Sequence, residues 1–178
     1  MNWHEKARET HMETLEAIRT RRSIRKFKTD DVPDELIDQI LTAGIWAPSG
    51  MNNQPWRFAV IRDTKLKSEL SKLTAHGKLI ETAPVLIPVF LDHHASYDMI
   101  KDAQCMGACM QNILLAAHSL GLAGLWIGEI RKNLDQVRVV CGAPESYELM
   151  AVIVVGHGSE KPGKGSRKGL DKLVFLRK

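Results

Sequence analysis

From about Met99 to Leu120 the chain carries its longest helical pattern, with Ala, Leu, Met and Cys on several faces rather than in one stripe. A helix that is apolar nearly all round has to be buried on more than one side. The fold must therefore wrap around this segment, at the centre of a domain or in an interface between subunits, and Gly121-Leu122 closes it. Strand-length apolar runs lie at Pro84–Leu91 and Leu149–Val155, with shorter strand candidates at Phe58–Ile61 and Ala123–Gly128. Pro88 inside the first long run predicts an irregularity or an edge, because proline donates nothing to a ladder. Helices are predicted over Trp3–Thr20, from Asp31 or Pro33 through Trp46 with Pro48 as the stop, over Lys65–Leu73 and over Arg131–Val140. His76–Thr82 is ambiguous, and Gly156–Lys178 reads as largely irregular until Leu173-Val174-Phe175. Helices and strands alternate without a long structureless gap, which predicts a mixed α and β domain and leaves the topology open.

A chain of 178 residues supports one sizeable core and is too short for two ordinary domains, so a single domain over residues 1–178 is expected. Its net charge of +4 permits anionic ligands without demanding a polymer. Aromatics are only 6% and do not interleave with the basic residues, which argues against nucleic acid as a partner. Cys105, Cys109 and Cys141 are odd in number and sit in apolar surroundings, which fits a reducing compartment better than a disulfide framework. The amino terminus lacks the apolar core of a signal peptide, and no apolar run reaches the length of a membrane span. A soluble, cytoplasmic protein is expected.

Against this ordinary background, Arg21-Arg22-Ser23-Ile24-Arg25-Lys26-Phe27 packs four cations and a hydroxyl into one short stretch. If it is extended, Arg21, Ser23 and Arg25 share a face. That face suits a phosphate and an adjoining polyol or carbonyl, although a solvated basic linker remains the plain alternative. The segment Ala47–Trp56 combines two prolines and a glycine with Ser49, Asn52, Asn53 and Gln54. Amides that donate and accept at once match the alternating edge of a heterocycle, whereas a connector needs only turn formers.

Other chemistries find less support. Gly158–Gly165 nearly spells a phosphate loop, but no Ser or Thr follows Lys164 and the chain that remains is too short for the required helix and metal-binding strand. Lys164, Arg167 and Lys168 stay credible as further cations for a phosphate. Cys105 and Cys109 share a helix face with His93-His94 nearby, yet no compact Cys/His quartet appears, so no metal site is expected. There is no Gly-x-Ser-x-Gly elbow and no evident acid–base pair. Two special loops and a basic tail without a nucleophile imply a borrowed reagent: a bound cofactor that carries the chemistry while the protein anchors it.

Taken in order and spacing, Arg21–Phe27, Ala47–Trp56, Gly121-Leu122 with Gly124–Gly128, and Val154–Gly158 with Lys161-Pro162 and Arg167-Lys168 resemble the nitroreductase family of FMN-dependent oxidoreductases over most of the chain. The resemblance implies an α+β fold with a central, mostly antiparallel sheet flanked by helices, in an intertwined homodimer with two FMN sites at the interface. It implies that Arg21 and Ser23 contact the flavin phosphate or ribityl chain and Arg25 the ribityl or pyrimidine edge, with Arg22 in the same contact set. Pro48, Ser49, Gly50 and Asn52 would reach that flavin from the partner subunit, with Gln54 close by. Trp126, Ile127, Gly128 and Glu129 would line the ring, and Arg167 with Lys164 or Lys168 would complete the phosphate pocket.

The chemistry so implied is ping-pong reduction of nitroaromatics, quinones or similar electron-poor small molecules, with NADH or NADPH as reductant and no catalytic side chain beyond the cofactor. The alternative is a flavin-binding carrier or redox sensor without efficient turnover. The chain is short for the family, so a segment that often covers the flavin is expected to be reduced or missing, which leaves the substrate pocket undefined.

Overall fold

The computed structural model describes residues 12–178. In chain order the elements are α1 (Thr14–Thr20), α2 (Asp34–Ile45), β1 (Trp56–Phe58), α3 (Thr64–Ser71), α4 (Gly77–Thr82), β2 (Val85–Asp92), α5 (Met99–Ser119), β3 (Ala123–Ile127), α6 (Leu134–Val140) and β4 (Tyr147–Gly156). Short 3₁₀ turns occupy Gly50–Asn52, Glu129–Asn133 and Leu170–Lys172. The strands form one antiparallel sheet in the order β1-β2-β4-β3. This is the α+β architecture that the resemblance implies.

The two long apolar runs become the central pair. Along β2, Val85, Ile87, Val89 and Leu91 face one way and meet α2 and α5, as do Ala151, Ile153 and Val155 of β4. Leu86 and Phe90, with Leu149, Val152 and Val154, face the other way onto Leu70 of α3, Ile80 of α4 and Val137 of α6. Covered on both faces, such strands read as continuous rather than alternating apolar runs. Each fully buried Leu or Ile here stabilises the fold by about 1.5–3 kcal/mol.

Pro88 lies in this interior pair and not at an edge. The irregularity that it predicts is nonetheless present on its β1 side. The Ala59 N–H donates to the Pro88 carbonyl, but proline has no N–H to return the bond. Regular pairing therefore stops at Phe58, and the predicted Phe58–Ile61 strand becomes β1 plus an isolated bridge from Ile61 to Leu86.

Two helices start at good caps: the Asp63 carboxylate accepts from the N–H groups of Lys65 and Leu66, and Asp98 accepts from those of Ile100 and Lys101. The predicted Arg131–Val140 helix is divided, with a 3₁₀ turn before α6, and His76–Thr82 resolves as α4. Of the predicted Trp3–Thr20 helix, Thr14–Thr20 is helical; the part before residue 12 lies outside the described residues. No regular element forms at Leu173-Val174-Phe175, whose side chains stay exposed. Helix α5 buries Cys105, Met106, Cys109, Met110, Ile113, Leu114 and Ala117 against α2 and the sheet. Its opposite face, including Gly107, Gln111 and Leu115, remains half-exposed within the single chain.

Helices α2 and α5 approach closely at Gly44. A Cβ there would fall 2.7 Å from Ile113 Cγ1 and 3.3 Å from Cys109 Sγ. Gly44→Val should overpack this contact and destabilise the protein by about 1–3 kcal/mol, read as a lower thermal or urea midpoint. An unchanged midpoint would mean that the helices separate there at no cost.

Candidate functional site

The basic hook leaves α1 and crosses the open edge of β3. Ser23 bridges Gly124, the Ile24 N–H donates to the Gly124 carbonyl, and Phe27 bridges Gly158 beyond the end of β4. Alternation follows: Ile24 is buried while Ser23 and Arg25 are exposed. The backbone is tied further by Lys28 N–H to the His157 carbonyl, Ser159 N–H to the Lys26 carbonyl, and Arg25 N–H to the Glu160 carboxylate at 2.7 Å.

Arg21, Arg22 and Arg167 converge at this end. Burial, then Arg167, then Arg22 lower the Arg21 guanidinium from its ordinary value, and its buried Nε has no hydrogen-bond partner among the described residues. None of the three guanidinium groups has a carboxylate of the described residues within salt-bridge distance. His118 is lowered by burial, Arg21 and Arg22 against a raising effect of Glu16. The Thr20 hydroxyl donates to the Glu16 carbonyl, so at 2.8 Å it accepts from His118 Nε2. A cationic cluster in which Arg21 and Arg22 are half-buried and one donor is orphaned is an arrangement that an anion completes.

Arg22 has a different task from its neighbours. Its Nε and Nη2 donate to the carbonyls of Gly163 and Lys164, and Nη1 donates to those of Arg19 and Arg21. It straps the tail to the hook. Gly165 beside it has φ +68, and a Cβ there would fall 2.6 Å from Arg22 Nε. The segment that nearly spells a phosphate loop therefore turns carbonyls, not N–H groups, toward a guanidinium, and no α-helix follows it. Lys164 contributes this carbonyl, Arg167 joins the cluster, and Lys168 is exposed with no side-chain hydrogen bond or ion pair among the described residues.

The polar loop lies at the other edge of the sheet, leading into β1. Met51, Asn52 and Gln54 hold φ values of 51°, 57° and 46°, the left-handed region that residues other than glycine seldom occupy. The Ser49 hydroxyl accepts the Gln54 N–H, and the Gln54 amide donates to the Asn52 carbonyl. Pro48 and Asn52 are exposed, and at Gly50 a Cβ would overlap the Tyr97 hydroxyl at 1.8 Å. Asn53 anchors the loop: its Nδ2 donates to the Ala95 carbonyl at 2.9 Å and to Asp102 Oδ1 at 2.8 Å. Arg57 adds a second tie, to Asp92 at 2.8 Å and to the Gln54 carbonyl at 3.1 Å.

At the hook's own edge of the sheet, β3 and the turn after it deliver Trp126, Ile127, Gly128 and Glu129. Trp126 is exposed and Ile127 is buried, so only the backbone of Ile127 can meet a ligand. Gly128 and Glu129 open the 3₁₀ turn, where the first N–H groups have no intrahelical partner. The Glu129 carboxylate pairs with Lys132, accepts from the Thr74 hydroxyl at 2.7 Å and from the Ala75 N–H at 3.2 Å, and is held down at about 2, chiefly by the Lys132 and Thr74 contacts.

The hook and the polar loop do not meet within one chain. Ser23 lies outboard of Gly124, opposite Val155, while Pro55 bonds Asp92, opposite Tyr147. Four strand spacings across and most of β4 along separate them by roughly 30 Å. Arg21, Arg22, Ser23 and Arg167 are gathered at one edge, and Pro48, Ser49, Gly50, Asn52 and Gln54 at the other.

A sequence model of the nitroreductase family matches residues 18–77 and 72–157, which span both edges. The chain belongs to the nitroreductase family. Among its relatives, a protein assigned as an NADH dehydrogenase/NAD(P)H nitroreductase in Methanothermobacter thermautotrophicus is 39% identical over 156 residues, covering 85% of this chain and 81% of that protein. The NADPH-flavin oxidoreductase of Vibrio harveyi is 29% identical over 161 residues, covering 84% of this chain and 67% of its own. Among solved structures, one from Desulfovibrio desulfuricans, assigned as a nitroreductase and crystallised with FMN, superposes with a TM-score of 0.89 at 42% identity, covering 95% of this chain and 99% of that one.

Sequence reasoning missed two residues that shape the polar loop, Asp102 and Tyr97. Asp102 is fully buried in α5 and accepts from Asn53 Nδ2, the Ser96 hydroxyl at 2.7 Å, and the N–H groups of Tyr97 at 2.9 Å and Asp98 at 3.1 Å. The available signal was a carboxylate inside an otherwise apolar helical pattern, one turn after the Asp98 cap.

Burial pushes the Asp102 carboxyl up, but the bonds from Ser96, Asn53 and the two backbone N–H groups outweigh it, and the net direction is down. A carboxyl depressed on folding adds stability that is fully present above the unfolded value, about pH 4, and is lost as pH falls through the lower folded value. Thermal melts from neutral to strongly acidic pH should show Asp102→Asn less stable than wild type at neutral pH, with the gap closing in acid. A gap that stays constant would show that this carboxylate does not contribute to the acid limb.

Proposed function

We propose that this chain is an FMN-dependent NAD(P)H oxidoreductase, a single FMN-binding domain over residues 1–178 that works in the cytoplasm as a homodimer. Its substrates are electron-poor small molecules such as nitroaromatics or quinones, reduced in a ping-pong cycle with NADH or NADPH. The observation that carries this reading is the Arg21–Arg22–Arg167 cluster, in which Arg21 and Arg22 are half-buried and Arg167 is exposed, without a carboxylate partner among the described residues and with the Arg21 Nε orphaned. A phosphate monoester satisfies that cluster, and the donors fit it.

Bound FMN supplies the hydride chemistry, accepting from the nicotinamide and donating to the acceptor. The chain's own residues bind and orient it. Arg21, Ser23 and Arg167 hold the phosphate and ribityl end, with Lys164 and Lys168 as further cations and Arg22 keeping the tail in place. Arg25 stands at the ribityl or pyrimidine edge, where a cation favours the negative charge that reduction leaves on the ring. Trp126, the Ile127 backbone, and the N–H groups of Gly128 and Glu129 border the ring from β3. The Glu129 side chain, engaged by Lys132, Thr74 and Ala75, leaves its own N–H available for that role.

The roughly 30 Å between Ser23 and Pro55 supports a two-chain site, because one small ligand cannot span it. In the dimer, Pro48, Ser49, Gly50 and Asn52, with Gln54 beside them, reach the flavin held by the other chain's hook. The half-exposed face of α5, with Gly107, Gln111 and Leu115, is the surface such an interface would cover. No helix among the described residues is long and apolar enough to cross a membrane.

Protein mixed with FMN, desalted, and then treated anaerobically with NADH or NADPH should retain flavin that bleaches and recovers its colour on addition of a quinone. Retained flavin that neither nicotinamide reduces would identify a carrier instead, and no retained flavin would sink the cofactor assignment. Arg21→Ala with Arg25→Ala should weaken FMN binding by about 1.5–3 kcal/mol for each charge-assisted hydrogen bond removed. Light scattering should report a dimer. An active, flavin-loaded monomer would place Ser49 and Asn52 outside the site.

A further inference from the structure

The chemistry assigned above leaves one fully buried charge unused, the Asp102 carboxylate. It accepts four hydrogen bonds from three directions. Asn53 comes from the polar loop, Ser96 and the Tyr97 N–H from the turn after β2, and the Asp98 N–H from the start of α5. Such a carboxylate is costly to bury unless every donor is in place. It therefore specifies the arrangement of the donors as much as they satisfy it.

The donors hold both sides of a single feature. Asn53 follows the left-handed pair Met51 and Asn52 and precedes the left-handed Gln54, so a bond at Asn53 fixes the one ordinary residue between strained neighbours. The Tyr97 N–H fixes the residue whose phenol stands over Gly50, where even a methyl group would collide with it. The orientation of the Asn53 amide is decided by its surroundings, since two acceptors, Ala95 O and Asp102 Oδ1, demand the NH₂ group.

We infer that Asp102 is the positioning residue for the polar loop of this protein: through Asn53 it holds residues 49–54 in their left-handed course, and through the Tyr97 N–H it sets the aromatic wall above Gly50. The inference rests on the proposed function for its consequence, namely that a loop so held presents Ser49 and Asn52 to FMN in the partner chain. Its geometric content stands without that reading. A preorganised loop binds without a further loss of conformational freedom, so release of the clamp should weaken binding even though Asp102 itself never touches the flavin.

Two variants test it. Asn53 has φ −71° and ψ −20°, so Asn53→Ala is accommodated by the backbone and leaves three donors on Asp102. Asp102→Asn replaces an acceptor oxygen with a donor among donors. In flavin-free protein, hydrogen exchange should accelerate at the amides of Asn52, Asn53 and Gln54 in both variants, at a temperature well below either melting point. FMN titration, followed by quenching of flavin fluorescence, should show affinity reduced about tenfold or more, as expected for loss of a hydrogen bond to a charged group. The double variant should be no weaker than Asp102→Asn alone, since both changes act through one link.

Unchanged exchange at these amides in Asn53→Ala would overturn the clamp, whatever FMN does. Faster exchange with unaltered FMN affinity would overturn its functional role, as would additive losses in the double variant. If wild-type protein binds no FMN, the cofactor reading fails while the exchange experiment still decides whether Asp102 holds the loop.

Discussion

The antiparallel pairing of β2 with β4 is the constraint on which everything else depends. Both strands are apolar on both faces, so two layers of helices are required to cover them: α2 and α5 on one side, α3, α4 and α6 on the other. The remaining positions in the sheet are its two edges. β1 takes the β2 edge and ends where Pro88 cannot return a hydrogen bond. β3 takes the β4 edge and leaves its outer side open for the hook. The separation of the two polar loops follows directly, because each is the approach to a different edge.

Charge acts differently at the two edges. At the hook, three guanidinium groups are gathered without a counter-charge among the described residues, and the Arg21 Nε is buried without an acceptor there. Like charges held together destabilise the compact state until an anion arrives. Binding of the proposed phosphate then stabilises the folded chain by mass action and draws α1, hook and tail together. At the polar loop the buried charge is already satisfied, four donors on Asp102, with no ligand needed.

Much of the fold was legible because burial on both faces writes itself into composition. Leu149–Val155 and Pro84–Leu91 are uninterrupted apolar runs, and α5 is long and marked at its end by Gly121. Pro88 was harder, since proline signals a missing donor without saying whether the gap falls at an edge or beside a strand that stops. In the site, Arg21 to Phe27 and Ala47 to Trp56 stood out by density of unusual residues. Arg22 and Arg167 could not be told apart from sequence, because one reaches across from the hook to the carbonyls of Gly163 and Lys164 while the other bonds only the carbonyl of its own neighbour Ser166, and that difference lies in the path of residues 163–165. Asp102 was illegible for a similar reason: a carboxylate in a helix reads as solvated until its partners, distant in sequence at Asn53 and close at Ser96, are brought to it.

The contrast between the edges bears on how such a site works. A loop with three left-handed residues would relax toward ordinary conformations unless something over-determined it. Here the determinant is internal, so the cost is met when the chain folds, not when a ligand binds. The cationic end has the opposite design, with repulsion left standing for the ligand to relieve. Under the proposed FMN function, one half of the site is rigid and selective and the other half is the source of binding energy. If the halves come from different chains, each subunit brings a fixed recognition loop to its partner's unsatisfied charge, and neither chain alone holds a complete site.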